Sequence, residues 1–360
     1  MRINLFQKEL TKKNIDLTII FSLDEKPNTN VVYFSGYVGI GLLAILKSAS
    51  FLLVPEMEYE KAKSSLKEKK IKIFKTDKKK KILESLSLLL RKQKNLIEKV
   101  GIEEDNCSVA IYKKLRKTFK AKYCDVSEIC SGLRKIKDNE EIKKINEACR
   151  ITDYIFKKIV TKFNFKEENE IKKFIEEETI KNNCELAFPP IVASARGSGQ
   201  PHYNASNKIK KGFLMLDFGV KYDGYCSDMT RMLYLGTPSK KELNDFDLVL
   251  KTCLGCEKAV MKKKKFSQLY LLSLKILDKK AVFFTHSLGH GLGLDIHESP
   301  SLSKEDKNKI EENIVFTIEP GIYFSNKYGI RIEDTLIIKN KKIEILTKSK
   351  KELNIIKNKK

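Results

Sequence analysis

The run GFLMLDFGV at 212–220 restricts the fold of this chain more than any other stretch. It is apolar at both odd and even positions, the pattern of a strand buried on both faces, yet it carries one carboxylate, Asp217. An ionised group buried without a partner costs several kcal/mol, so this acid must be protonated, paired with a cation or bound to a metal.

A turn-like KYDG at 221–224 follows, and the chain resumes as YCSDMTRMLY at 225–234, a second strand. If the turn is centred between Tyr222 and Asp223, Asp217 faces Asp228 across the hairpin, with Cβ atoms about 4.5 to 5.5 Å apart. If Asp223 and Gly224 form the turn, Asp228 faces Gly219 and is a same-face diagonal neighbour of Asp217. In either register two carboxylates in an apolar setting repel unless a cation lies between them. Two more acids follow the same pattern. Glu319 closes the apolar run IVFTIEPG at 314–321, and IRIED at 330–334 puts Glu333 on the face of Arg331, with both isoleucines opposite. The short loop holding Asn326 and Gly329 predicts a hairpin that faces Glu319 with Glu333. A lone acid of this kind is more often half of an ion pair. Four of them favour a divalent metal pair whose charge needs bridging carboxylates.

The histidines stand at 202, 286, 290 and 297, and three fall in THSLGHGLGLDIH at 285–297. The spacing of His286 and His290 suits a helical zinc site, but Gly289, Gly291 and Gly293 argue against a helix. A histidine flanked by glycines suggests backbone approaching closely to something bound, which favours His290 as the metal ligand and leaves the others facing substrate. His202 lies in a Gly/Pro/Ser-rich loop, PPIVASARGSGQPHY at 189–203, of the kind that carries sites.

With 360 residues the chain is long enough for two domains. Residues 1–128 alternate basic amphipathic helices with short apolar runs such as LTIIF at 17–21 and SFLLV at 50–54, predicting a small α/β domain. A helical pattern over 136–166 either links the two domains or opens the second, which is taken as 129–350, and a Lys-rich tail covers 351–360. The 71 basic against 47 acidic residues give a charge of +24. Lysines are spread along nearly every segment, with runs at 78–81 and 262–265 and little aromatic interleaving, so a solvated surface is expected rather than a nucleic-acid face. The eight cysteines outline no disulfide framework, and Cys253 and Cys256 lack the second ligand pair of a zinc site, so they are expected as half-buried helical thiols. The first residues lack the pattern of a secretory signal. The most apolar window, 38–46, is shorter than the roughly 20 residues of a spanning helix, so a cytoplasmic protein with no membrane partner is expected.

PHY at 201, LDFGVKYDGYCSDMTR at 216, HSLGHGLGLDIHE at 286, FTIEPGIY at 316 and GIRIED at 329 together resemble the Xaa-Pro peptidases, prolidase and aminopeptidase P. NVVYFSGY at 30 and LRKIKDNEEI at 133 are similar to that family's N-terminal domain and domain junction. The resemblance implies an α+β architecture, a C-terminal pita-bread catalytic domain behind a smaller α/β domain. It implies that Asp217 binds one of two divalent ions (Mn, Co, Zn or Fe), that Asp228 and Glu333 bridge both, and that His290 and Glu319 complete the second. It further implies that His202 and His297 stabilise the substrate carbonyl or the tetrahedral intermediate, His286 shapes the pocket, and Arg331 orients Glu333 or the substrate. The activity implied is hydrolysis of a peptide with proline at its second position by a metal-bridging hydroxide, with Glu319 shuttling the proton, in a homodimer. MKKKKF at 261–266 and ARGSGQ at 195–200 depart from the family pattern and bear on substrate preference. The alternatives are a methionine-aminopeptidase-like enzyme, which would lack the N-terminal domain, a broader aminopeptidase, and a non-catalytic pita-bread binding module, which would bind no metal.

Overall fold

Apolar runs between basic helices organise the first unit, Met1–Arg134, around one mixed sheet. Its strands are β1 (Leu17–Ser22), β2 (Gly41–Leu46), β3 (Ser50–Val54), β4 (Ile71–Lys75), β5 (Lys99–Ile102) and β6 (Lys122–Asp125), in the order β4-β3-β2-β1-β5-β6. Strands β1 to β3 form an antiparallel meander, and the outer pairings are parallel. The apolar window at 38–46 contains β2, which is buried at every position and accounts for its composition. The computed structural model describes residues 2–23, 27–68, 70–76, 81–92, 96–201, 203–204 and 208–356. Among them no helix is long and apolar enough to cross a membrane.

The second unit, Lys135–Lys360, begins with the helix Asn139–Thr161. It is shorter than its 136–166 pattern because Asp138 and Glu141 close a capping box at its start. Its strands are β7 (Glu185–Leu186), β8 (Ile191–Ser194), β9 (Gly212–Phe218), β10 (Val220–Tyr222), β11 (Tyr225–Cys226), β12 (Met229–Leu235), β13 (His290–Gly291), β14 (Glu298–Ser301), β15 (Val315–Ile318), β16 (Gly321–Phe324), β17 (Tyr328–Arg331), β18 (Asp334–Lys339), β19 (Lys342–Ile345) and β20 (Asn354–Ile356). They form sheets ordered β20-β12-β9-β8 and β14-β13-β15-β18-β19, with the smaller β11-β10-β7 and β16-β17. Strand β20 lies in the stretch read as a tail, and it pairs parallel with β12.

Strand β9 is covered on both faces, as its composition requires. Leu214, Leu216 and Phe218 pack with Ile151, Ile155, Ile171 and Ile175 of the helices Asn139–Thr161 and Glu168–Lys181. Phe213 and Met215 pack with Phe246, Cys253, Leu269 and Phe316 on the other side. Each such side chain contributes roughly 1.5–3 kcal/mol by leaving water. Asp217 shares the parity of Phe213 and Met215, so its carboxylate enters the second of these layers. Cys253 and Cys256, expected half-buried, are fully buried in the helix Lys240–Ala259, and all eight cysteines are free thiols.

Candidate metal centre

The first hairpin adopts the Asp223-Gly224 turn. Both turn residues have positive φ, +44° and +84°, as a two-residue turn matched to strand twist demands. Tyr222 therefore pairs with Tyr225 and Asp217 with Thr230, which excludes the register that would set Asp217 opposite Asp228. Asp228 falls where the ladder breaks between β11 and β12, across from Gly219. A Cβ at Gly219 would sit 1.8 Å from the Ser227 carbonyl oxygen, so only glycine permits this close crossing.

The second hairpin keeps one register through a similar break. Ile318 pairs with Asp334 on one side of it and Gly321 with Arg331 on the other, which leaves Glu319 and Glu333 opposite each other where Pro320 interrupts the ladder. This is the expected juxtaposition.

Four of the predicted residues converge closely. Asp228, His290 and Glu333 each offer a ligand atom within 4.8 Å of the others, and Glu319 Oε1 lies 3.3 Å from His290 Nε2. His290 Nδ1 contacts its neighbour's carbonyl, Gly291 O, at 3.1 Å. That carbonyl can only accept, so Nδ1 carries a proton, and Nε2 is turned toward Asp228 Oδ2, 3.5 Å away, and Glu319. Asp217 Oδ1, Asp228 Oδ1 and Glu333 Oε1 are buried and without a hydrogen-bond partner among the described residues. Burial, then repulsion from Asp217 and Glu319, pushes the Asp228 carboxyl well above its usual range. Burial and repulsion from Asp228 do the same to Glu333. Oxygen atoms without donors around one imidazole nitrogen fit a divalent cation, which would relieve the repulsion.

Arg331 meets Asp217 rather than Glu333. Its Nη2 donates to Asp217 Oδ2, its Nη1 to the Tyr323 hydroxyl at 2.7 Å and its Nε to Thr230 Oγ1 at 3.1 Å. Thr230 in turn donates to Glu333 Oε2 at 2.7 Å. His286 is not part of the cluster of ligand atoms. Burial lowers its pKa, and the neutral ring gives its Nδ1 proton to Ser287 O at 2.7 Å, so Nε2 accepts from the Tyr323 hydroxyl at 2.8 Å. The His297 ring stands edge-to-face against His290, with centroids 4.4 Å apart. His202 lies outside the described residues.

The glycines around His290 have a different cause from the one expected. A Cβ at Gly289 would be 2.1 Å from Thr317 O and one at Gly291 would be 2.3 Å from Ser299 O, so they admit neighbouring backbone rather than a ligand. Sequence reasoning missed Tyr323 and Thr230. The signal for Tyr323 was a pair of glycines, Gly321 two residues before it on the same strand and Gly329 across from it, whose missing side chains leave room for its ring.

Residues 143–340 match the model of metallopeptidase family M24, and residues 2–136 match the creatinase/prolidase N-terminal domain. The Xaa-Pro dipeptidase of Pyrococcus furiosus is 33% identical over 98% of this chain and 99% of its own length. Among solved structures, the Xaa-Pro dipeptidase from Bacillus anthracis superposes with a TM-score of 0.91 at 29% identity, covering 99% of both chains. An X-Pro aminopeptidase from Thermotoga maritima gives 0.86 at 29% identity, covering 95% of this chain and 98% of that one.

Proposed function

The chain belongs to metallopeptidase family M24, and from that premise we propose that it hydrolyses the peptide bond before a proline at the second position of its substrate, using two divalent ions bound by Asp217, Asp228, His290, Glu319 and Glu333. The observation that carries the reading is the set of buried carboxylate oxygens with no hydrogen-bond partner among the described residues, gathered around His290 Nε2. Full-length similarity to Xaa-Pro dipeptidases supports the substrate class.

Bound divalent ions would supply Lewis acidity, lowering the pKa of a water and polarising the scissile carbonyl. The protein's residues do the rest. Thr230, Arg331 and the Nδ1–H of His290 hold the ligand set, because each gives a hydrogen bond, to Glu333, Asp217 and Gly291 O in turn, that fixes one ligand's orientation. Glu319, whose Oε1 accepts from Thr317 Oγ1 at 3.2 Å, takes the proton from the attacking water and delivers it to the leaving nitrogen. His297, and His202 by resemblance, donate to the oxygen on which charge develops. The neutral His286 and Tyr323 wall the pocket beside Arg331. Mn, Co, Zn and Fe all suit this donor set. Eight free thiols support a cytoplasmic location, and a homodimer completes the reading.

The test is hydrolysis of Ala-Pro, Ala-Pro-Ala and Met-Ala-Ala by metal-reconstituted protein, with metal counted per chain. Cleavage of the proline peptides with about two metal ions bound is expected, and cleavage of Met-Ala-Ala alone refutes the proline assignment. Preference for Ala-Pro over Ala-Pro-Ala identifies a dipeptidase. Sedimentation checks the dimer.

A further inference from the structure

Lys137 and Glu298 form an ion pair of 2.8 Å with side chains only 1% and 5% exposed. Burying two charges costs several kcal/mol, and well-packed apolar residues would serve stability as well or better, so the pair calls for another explanation. Its surroundings supply one. Glu298 follows His297 in sequence, and its carboxylate is the centre on which the preceding loop is wound. Oε2 accepts from Lys137 Nζ and Oε1 accepts from the Asp295 backbone N–H at 3.1 Å. Gly293 donates to Asp295 O at 3.0 Å, and its O accepts from Cys226 N–H at 2.7 Å. A Cβ at Gly293 would lie 2.8 Å from both Glu298 carboxylate oxygens, so the loop closes directly over the charge.

Lys137 is anchored just as firmly. Its N–H donates to Asn313 O at 2.9 Å, and Ile136 forms a bridge with Ile314, the residue before β15. Strand β15 pairs with β13, which carries His290. The ion pair therefore ties the loop that ends at His297 to the sheet that holds His290, across the 4.4 Å between the two rings.

We propose that Lys137, through Glu298, is a positioning residue that sets the His297 imidazole against the metal centre. The proposal rests on the reading of His297 as a substrate-stabilising group. Lys137→Met alone would strand a buried carboxylate, so the test replaces the pair with the neutral combination Lys137→Met and Glu298→Gln, and also measures Lys137→Arg and His297→Ala. The paired variant should bind metal as the parent does and keep KM on Ala-Pro, while kcat falls about 10-fold and the His297 ring resonances shift with those of His286 unmoved. Lys137→Arg should recover most of kcat. In the His297→Ala background the pair should change kcat less than about 2-fold, since coupled residues do not add. Equal losses in both backgrounds, or an unmoved His297 signal, overturn the proposal. A shifted His297 signal with unchanged kcat upholds the positioning and overturns instead the role given to His297.

Discussion

Glu333 shows how one residue can be costly and necessary together. Thr230 satisfies its Oε2, while Oε1 is buried with no hydrogen-bond partner among the described residues, and repulsion from Asp228 raises a pKa already lifted by burial. A carboxyl whose folded pKa is raised stabilises the fold only at low pH, and that contribution is lost as pH rises through the folded value. In the metal-free protein at pH 7, Glu333→Gln should therefore raise Tm, by several degrees if relief amounts to roughly 1–2 kcal/mol. The same substitution should abolish the Tm increase that saturating Mn2+ or Co2+ gives the parent. Thermal melts with and without metal check both, and a lower metal-free Tm for the variant would show that the acids are not in conflict. Asp217, Asp228, Glu319 and Glu333 were legible in the sequence because a charge inside an apolar run has few explanations. Tyr323 and Thr230 were not, since a tyrosine or threonine in a strand is ordinary and only the partner identifies its task.

The hairpins bearing these acids share a device: each keeps its register while its ladder breaks, and the break falls at the acids. Gly219 faces Asp228 in one, and Glu319 faces Glu333 in the other. An interrupted ladder frees backbone to turn, so a carboxylate can leave the sheet plane without shifting the strands on either side. Gly219→Ala tests this. Its Cβ would overlap Ser227 O, and the hairpin would have to separate at the crossing, a cost of roughly 3 kcal/mol. The variant should melt at lower temperature and bind metal at least about 10-fold more weakly, read by titration calorimetry. Unchanged affinity would mean that the crossing does not set the Asp228 geometry. From sequence, alternation and turn chemistry limited this hairpin to two registers. The choice between them depended on whether Asp223 would accept positive φ, which its residue type allows but does not compel. Pairs as distant as Lys137 and Glu298 leave no local pattern to read.

At the scale of the molecule, residues 347–356 are knitted into the second unit beside the centre. Arg231 donates to Ser349 O, Thr347 Oγ1 to Asp334 Oδ1, and Lys351 pairs with Asp334 and Glu257. Burial, with repulsion from Asp334, pushes the Glu257 carboxyl up to about 7 despite Lys351. Because this pKa is raised, the stability that Glu257 contributes at low pH is lost between about pH 4.5 and 7, on the order of 3 kcal/mol. Glu257→Gln should accordingly gain stability relative to the parent as pH rises from 5 to 8, by several degrees in Tm. Parallel pH profiles would refute it. Strand β20 adds a constraint in time. It flanks β12, the strand carrying Thr230, so during synthesis the peptidase half receives its last sheet neighbour only after residues 354–356 emerge. The N-terminal unit, whose six strands all precede residue 126, can assemble long before that. A growing chain that has not yet reached residue 354 would thus carry every described strand of its first unit while β12 still lacked its parallel neighbour.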